Sequence, residues 1–366
     1  MAQFDIVFEG GGAKGTALAG GMQALIDQGH THRRLVGTSA GAITATNLAL
    51  GFTPQEIREG SLRKTEDGKS IYTTFSDAPP ALSDEELLDT GLGQLLNKFP
   101  FPFVHARAAA IVMRALEHVP GMRGLLALAE EGGFHAGDAF VSWMHQMLRE
   151  RSVSEDITLA ELFEHTGTDL SLVATNTSSH SMMVFNHRTT PDLPVAWGVR
   201  MSMSIPLFWR EVTWPSDWGS YLGEDITGDT IVDGGVVSNF PLHLITAPED
   251  PTVKRWMGDA PAEKARALGF YLDAQQPIPG WSVPEHQPHF HSPLMARLNA
   301  LLDTMMAASD NSAIHTHPHL VCRLPVKGVT ATEFDLPDEG YTALFNGGLA
   351  ATQAYLSAQG IAGDNA

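Results

Sequence analysis

The sequence predicts an α/β fold of three layers, with helices on both faces of a mostly parallel central sheet. Three observations predict it. The first fifty residues read strand, glycine turn, helix, and then the same again, as a parallel sheet requires. The chain has 366 residues, of which 43% are hydrophobic and 18% charged, enough apolar material for a large core. Apolar runs with strand character resume after residue 170 and continue towards the C-terminus, without an internal repeat. The expected organisation is one domain over residues 1–366. A motif-bearing core covers about 4–245, interrupted by a helical insertion at about 71–150. Closing strands and a helix occupy about 246–366.

The elements follow in order. Residues 4–8 are a short apolar run suited to a buried strand. A glycine turn, Gly10-Gly11-Gly12-Ala13-Lys14-Gly15, comes next. Residues 16–28 have helical spacing, with Leu18, Met22 and Leu25 on one face and Gly29 where a C-cap belongs. Residues 33–36 form a second strand, Gly37 to Gly41 a second tight turn, and residues 42–50 a second apolar helix. Amphipathic helices are expected at 83–97, 106–118 and 138–150, and a capped one at 158–165. Between the first two, Phe99, Phe101 and Phe103 alternate with prolines, as a channel wall or a packed connector. Residues 170–175 and 182–186 read as a strand pair, 195–203 as a helix stopped by Pro206, and 230–232 as a brief strand. Strands at 267–272 and 319–324 precede a long helix at 338–358. Residues 214–228 and 275–293 are rich in Pro, Gly and polar residues and read as loops.

Acidic residues outnumber basic ones by 42 to 23, a formal charge of −19. Such a surface repels nucleic acid and anionic headgroups at long range, and no basic run forms a nucleic-acid patch. Cys322 is the single cysteine, so neither an intrachain disulfide nor a cysteine zinc site is expected, and a buried apolar role fits it. No signal peptide and no membrane-spanning apolar stretch are read. The expected location is the cytoplasm, with peripheral contact at membranes through apolar residues such as Phe99, Phe101, Phe103 and Trp143; core packing is their competing role.

The sharpest local signal is Gly37-Thr38-Ser39-Ala40-Gly41, a G-x-S-x-G between strand and helix. A nucleophile on that turn needs glycines around it, because side chains there would collide with the strand and helix. The competing reading is a serine that only caps a helix. The second signal, Gly10 to Gly15, fits G-x-G-x-x-G. A dinucleotide turn would need an acidic residue at the end of the next strand, where Gly37-Thr38-Ser39 stands instead. The alternative is an oxyanion hole: successive glycines aim backbone N–H groups at one anion, with Lys14 beside an oxyanion or a lipid phosphate. Alone, Lys14 equally suits an exposed helix start. The third signal is Asp233-Gly234-Gly235 at the end of an apolar strand. A carboxylate there reaches the crevice at the strands' ends; a plain Asp-Gly turn is the competing reading. Sixteen histidines leave a histidine base open. The groups His286, His289, His291 and His315, His317, His319 lie among prolines and read as polar surface rather than as metal ligands.

These three motifs, in this order, resemble the patatin-like phospholipase family. Arg200-Met201-Ser202-Met203-Ser204-Ile205-Pro206 and Val236-Val237-Ser238-Asn239-Phe240-Pro241 are similar to that family's segments on either side of its aspartate. The resemblance covers about residues 4–245; the stretch 71–134 and the C-terminal third carry no matching motif. It implies a Ser39–Asp233 dyad, with Gly10, Gly11, Gly12 and Lys14 at the oxyanion hole and Gly15, Gly37, Gly41, Gly234 and Gly235 supporting the turns. No metal or other cofactor is implied. The implied substrates are phospholipids, lysophospholipids or neutral acylglycerols, met at a membrane or micelle surface. A dyad also demands that Asp233 be buried beside Ser39, because a carboxyl at its ordinary pKa is a weak base for a hydroxyl.

Overall fold

A computed structural model describes residues 1–80, 122–259, 265–282, 304 and 314–361. The strands are β1 (Gln3–Phe8), β2 (Thr31–Thr38), β3 (Gly133–His135), β4 (Asp169–Asn176), β5 (Ser181–Phe185), β6 (Leu207–Trp209), β7 (Val212–Thr213), β8 (Thr230–Asp233), β9 (Arg266–Asp273) and β10 (Val321–Pro325). The helices are α1 (Thr16–Asp27), α2 (Ala40–Ala49), α3 (Pro54–Ser61), α4 (Met122–Glu131), α5 (Asp138–Glu150), α6 (Leu159–Thr166), α7 (Val195–Ser202), α8 (His243–Thr246), α9 (Pro251–Met257) and α10 (Asp338–Ala358). The expected helices at 83–97 and 106–118, the Phe99–Pro–Phe101 stretch, and His286, His289 and His291 lie outside the described residues.

The main sheet runs β10-β9-β1-β2-β4-β8-β7, with β5 also on β4. From β10 to β4 every pairing is parallel; β5, β8 and β7 join antiparallel. β1 shows why the sheet has two covered faces. Phe4, Ile6 and Phe8 enter one apolar cluster and Val7 the other, the alternation a strand imposes. The first cluster lies under α1, α2, α5, α7 and α10; the second lies under α8 and α9 with Ile314 and Val321. This is the expected three-layer α/β/α arrangement.

Cys322 is buried on β10 beside Thr352 of α10. Residues 214–228 form mostly loop, as expected, and the strand expected from 319 begins at Val321, because Pro318–Leu320 form a short 3-10 turn. Trp143 does not face an interface: it is 7% exposed, turned inward on α5 against Tyr72, Phe75 and Phe140. Its neighbours on that helix face, Phe140, Met144 and Met147, are buried too, so the apolar stripe is a core stripe. No helix among the described residues is long and apolar enough to cross a membrane.

Candidate active site

Ser39 stands between the end of β2 and the start of α2, with φ 53° and ψ −119°. That backbone is strained for a residue with a side chain and persists only where the surroundings enforce it. The flanking glycines make room for it. A Cβ on Gly37 would lie 2.3 Å from the Gly41 carbonyl oxygen, and one on Gly41 would lie 2.2 Å from the Phe8 carbonyl oxygen. The Ser39 N–H donates to Ser202 Oγ at 3.0 Å, and Ser202 Oγ donates in turn to the Val173 carbonyl at 2.6 Å. The elbow is therefore tied to the next strand through one buried hydroxyl.

Asp233 arrives from another direction. β8 is antiparallel to β4, so the rule for parallel-strand ends does not place it; register does. Thr38 pairs with Val173 and Asp233 with Ala174, on the edge of β4 opposite β5, so β2 and β8 meet end to end along that edge and deliver Ser39 and Asp233 side by side. The Asp233 N–H donates to the Ser204 carbonyl at 2.9 Å. One carboxylate oxygen, Oδ1, accepts from the Gly235 N–H at 2.7 Å, while Oδ2 is buried with no hydrogen bond closing on it. Burial pushes the carboxyl up to about 7; the Gly235 N–H and the neighbouring Ser39 hydroxyl oppose that rise. The structure thus brings together the two residues that stand far apart in sequence.

The glycine turn is held by Asn239, in the segment after Asp233, and by the C-terminal third, which carries no motif. The Gly10 N–H is engaged, donating to the Asn239 carbonyl at 3.1 Å. Asn239 Nδ2 donates to Glu9 Oε1 at 3.1 Å and to the Gly10 carbonyl at 3.2 Å. The other Glu9 oxygen accepts from the Leu272 N–H on β9. Ala13 N–H donates to the Ala331 carbonyl at 3.0 Å, and a Cβ on Gly12 would lie only 1.8 Å from that carbonyl oxygen. Neither Gly11 nor Gly12 N–H donates to another backbone group among the described residues. Lys14 is half-buried on the following 3-10 turn, with no ion pair among the described residues.

A cavity of about 210 Å³ opens at Ser39. Its apolar lining includes Ile43, Phe52, Phe75, Trp143, Ile205 and Phe334. No histidine lines it among the described residues, and no group of three metal-ligating side chains occurs among them. His315 and His319 are exposed and His317 is half-buried, with the His317 and His319 ring centres 6.4 Å apart.

Several positioning groups have no individual signature in the sequence. Arg200 is 2% exposed and clamps its own turn: it donates to Ser204 Oγ, to the Ala136 carbonyl at 2.9 Å and to the Arg210 carbonyl at 3.0 Å. Burial lowers its guanidinium to about 10. The run Arg200 to Pro206 was visible as a motif, but nothing in it tells which serine reaches the elbow. Glu9, Leu272 and Ala331 gave no signal.

The sequence model of the patatin-like phospholipases matches residues 6–245 of this chain. The chain belongs to the patatin-like phospholipase family. That span coincides with the stretch over which its motifs resemble the family. The protein YqhO of Bacillus subtilis is 28% identical over 360 residues, 96% of this chain and 97% of that protein. "Probable lipid hydrolase 463L" of invertebrate iridescent virus 6 is 22% identical over 239 residues, 65% of this chain and 62% of that protein. Among solved structures, VipD from Legionella pneumophila aligns over 98% of this chain and 67% of its own, with TM-score 0.48 and 15% identity. ExoU of Pseudomonas aeruginosa aligns over 98% of this chain, with TM-score 0.40 and 18% identity; the alignment spans 53% of the ExoU chain. This patatin-like chain is therefore placed among lipid hydrolases by its family.

Proposed function

We propose that this protein hydrolyses carboxylic esters of lipids through an acyl intermediate on Ser39, with Asp233 as general base. One observation carries the reading: a fully buried carboxylate, raised to about 7, leaves its Oδ2 without a hydrogen bond beside a serine held at a strained strand–helix elbow. Ser39 Oγ attacks the ester carbonyl and passes its proton to Asp233. The tetrahedral oxyanion is met by the Gly11 and Gly12 N–H groups, with Lys14 nearby; Gly10 anchors their loop. The alcohol leaves with the proton from Asp233. Asp233 then takes a proton from water, which attacks the acyl-serine and restores the hydroxyl. A pKa near neutrality suits both directions of that transfer. Gly15, Gly37, Gly41, Gly234 and Gly235 shape the turns that hold these groups. Phospholipid, lysophospholipid and neutral acylglycerol esters share the reacting group and all fit this chemistry.

The test is release of a chromogenic alcohol from medium-chain esters. Wild type should show a burst followed by steady turnover, and Ser39→Ala and Asp233→Asn should each lose at least about a hundredfold in kcat. Equal rates for wild type and Ser39→Ala would end the reading. Full activity in Asp233→Asn would move the base elsewhere.

A further inference from the structure

The cavity changes character along its length. Ser39 at the start of α2 and Ala40, Ile43, Thr44 and Asn47 on it line the cavity, one helix face, so the cavity follows about 12 Å of that helix. On α5 the lining residues Trp143, Met147 and Glu150 run the same way, from apolar to charged. The two far ends coincide. Glu150 pairs with Arg63 at 2.7 Å; Arg151 pairs with Glu56 at 2.6 Å and lies over the Phe52 ring, and the Phe52 backbone N–H donates to the Asn47 backbone carbonyl at 2.9 Å.

Asn47 is the anomaly. It is 4% exposed, it lines the cavity, and its amide oxygen Oδ1 is buried with no hydrogen-bond partner among the described residues. Its neighbour Thr44 does not share the problem, because Thr44 Oγ1 donates to the Ala40 carbonyl at 3.0 Å. An unpaired amide oxygen against a plain hydrocarbon chain is costly, whereas a hydroxyl brought by the substrate would donate to it. The charge at that end selects among polar groups. Three carboxylates, Glu56, Glu59 and Glu150, stand there against the two guanidiniums of Arg63 and Arg151, so the balance is negative, a further carboxylate is disfavoured and a neutral hydroxyl fits. An extended chain advances about 1.2 Å per atom, so the distance from Ser39 to Asn47 corresponds to roughly ten chain atoms.

Resting on the hydrolase reading above, we propose that the site selects acyl groups of medium length that carry a hydroxyl near their distal end, and that the Asn47 amide binds it. The experiment compares chromogenic esters of decanoate and 10-hydroxydecanoate. Wild type should favour the hydroxy ester about five- to tenfold in kcat/KM, and Asn47→Leu should bring that ratio to one or below while still cleaving decanoate. Thermal shift of Ser39→Ala with the two free acids gives a readout independent of turnover, and the hydroxy acid should stabilise it more. Turnover of both esters by wild type without preference, or a preference for the plain chain, overturns the selectivity and leaves the hydrolase reading intact. If Asn47→Leu does not fold, the wild-type ratio and the thermal shift decide alone. Absence of turnover together with equal thermal shifts overturns both.

Discussion

At the scale of single residues, the behaviour of the protein with pH turns on Asp233. Its carboxyl stands at about 7 in the fold against an ordinary 3.8, because burial disfavours the charged form. Activity that needs the carboxylate should therefore climb through pH 7 and level off above it, a single ascending limb in kcat/KM. Stability should run the other way. A carboxyl raised in the folded state favours folding while protonated in both states; that advantage fades as pH rises from about 4 to about 7, by roughly 4 kcal/mol at most. Asp233→Asn cannot ionise, so its urea midpoint should exceed that of wild type at pH 8 and approach it at pH 4, while its activity is lost. A wild type equally stable at both pH values relative to the variant would show that the carboxyl is not buried as described. Ser39 and Asp233 were both legible in the sequence, since nucleophile turns and Asp-Gly turns have fixed residue types. The unpartnered amide oxygen of Asn47 was not, because a polar residue on an apolar helix shows nothing of its partners until the helix is packed.

At the scale of elements, the turn that closes α7 (Val195–Ser202) does more than connect. Its Ser202 side chain receives the Ser39 N–H, and its Ser204 carbonyl receives the Asp233 N–H, so one short segment fixes both members of the pair. Ser202→Ala would leave the Ser39 N–H unpaired inside the protein, a loss of about 1–3 kcal/mol, with a strained backbone released at the same point. We expect kcat to fall about ten- to a hundredfold with KM nearly unchanged, because the cavity that binds the chain is untouched. A proportionate rise in KM with kcat preserved would show that Ser202 shapes the cavity rather than the elbow. Element boundaries follow the same divide between local and distant causes. α5 and α10 begin and end where periodicity puts them, at Asp138–Glu150 and Asp338–Ala358. α3 (Pro54–Ser61) carried a readable start, since Thr53 and Glu56 form a reciprocal capping box before Pro54, yet its few apolar residues mask it. β3, β6 and β7 are three residues or fewer, too short for any period, and exist only because partner strands are brought to them.

At the scale of the whole molecule, the family match ends at residue 245, but the fold that holds Ser39, Asp233 and the glycine turn does not. β9 (Arg266–Asp273) pairs with the free edge of β1, and β10 covers β9. Through β9 the Leu272 N–H holds the Glu9 carboxylate at the base of the glycine turn, and the Ala331 carbonyl holds that turn through the Ala13 N–H. α10 presses so closely on α1 that a Cβ on Gly348 would lie 2.0 Å from the Ala17 carbonyl oxygen, and one on Gly20 would lie 1.9 Å from that of Phe345. A chain cut after residue 245 would keep every motif and lose all four supports. It would also expose the edge of β1 and the apolar face of α1, a template for aggregation. Such a fragment should be insoluble, or soluble and inactive towards esters that the full chain cleaves. Restoring residues 246–366 as part of the same chain should return both properties. A soluble, fully active fragment would mean that the glycine turn aims its N–H groups without Leu272 and Ala331, and that the C-terminal third serves something other than this site.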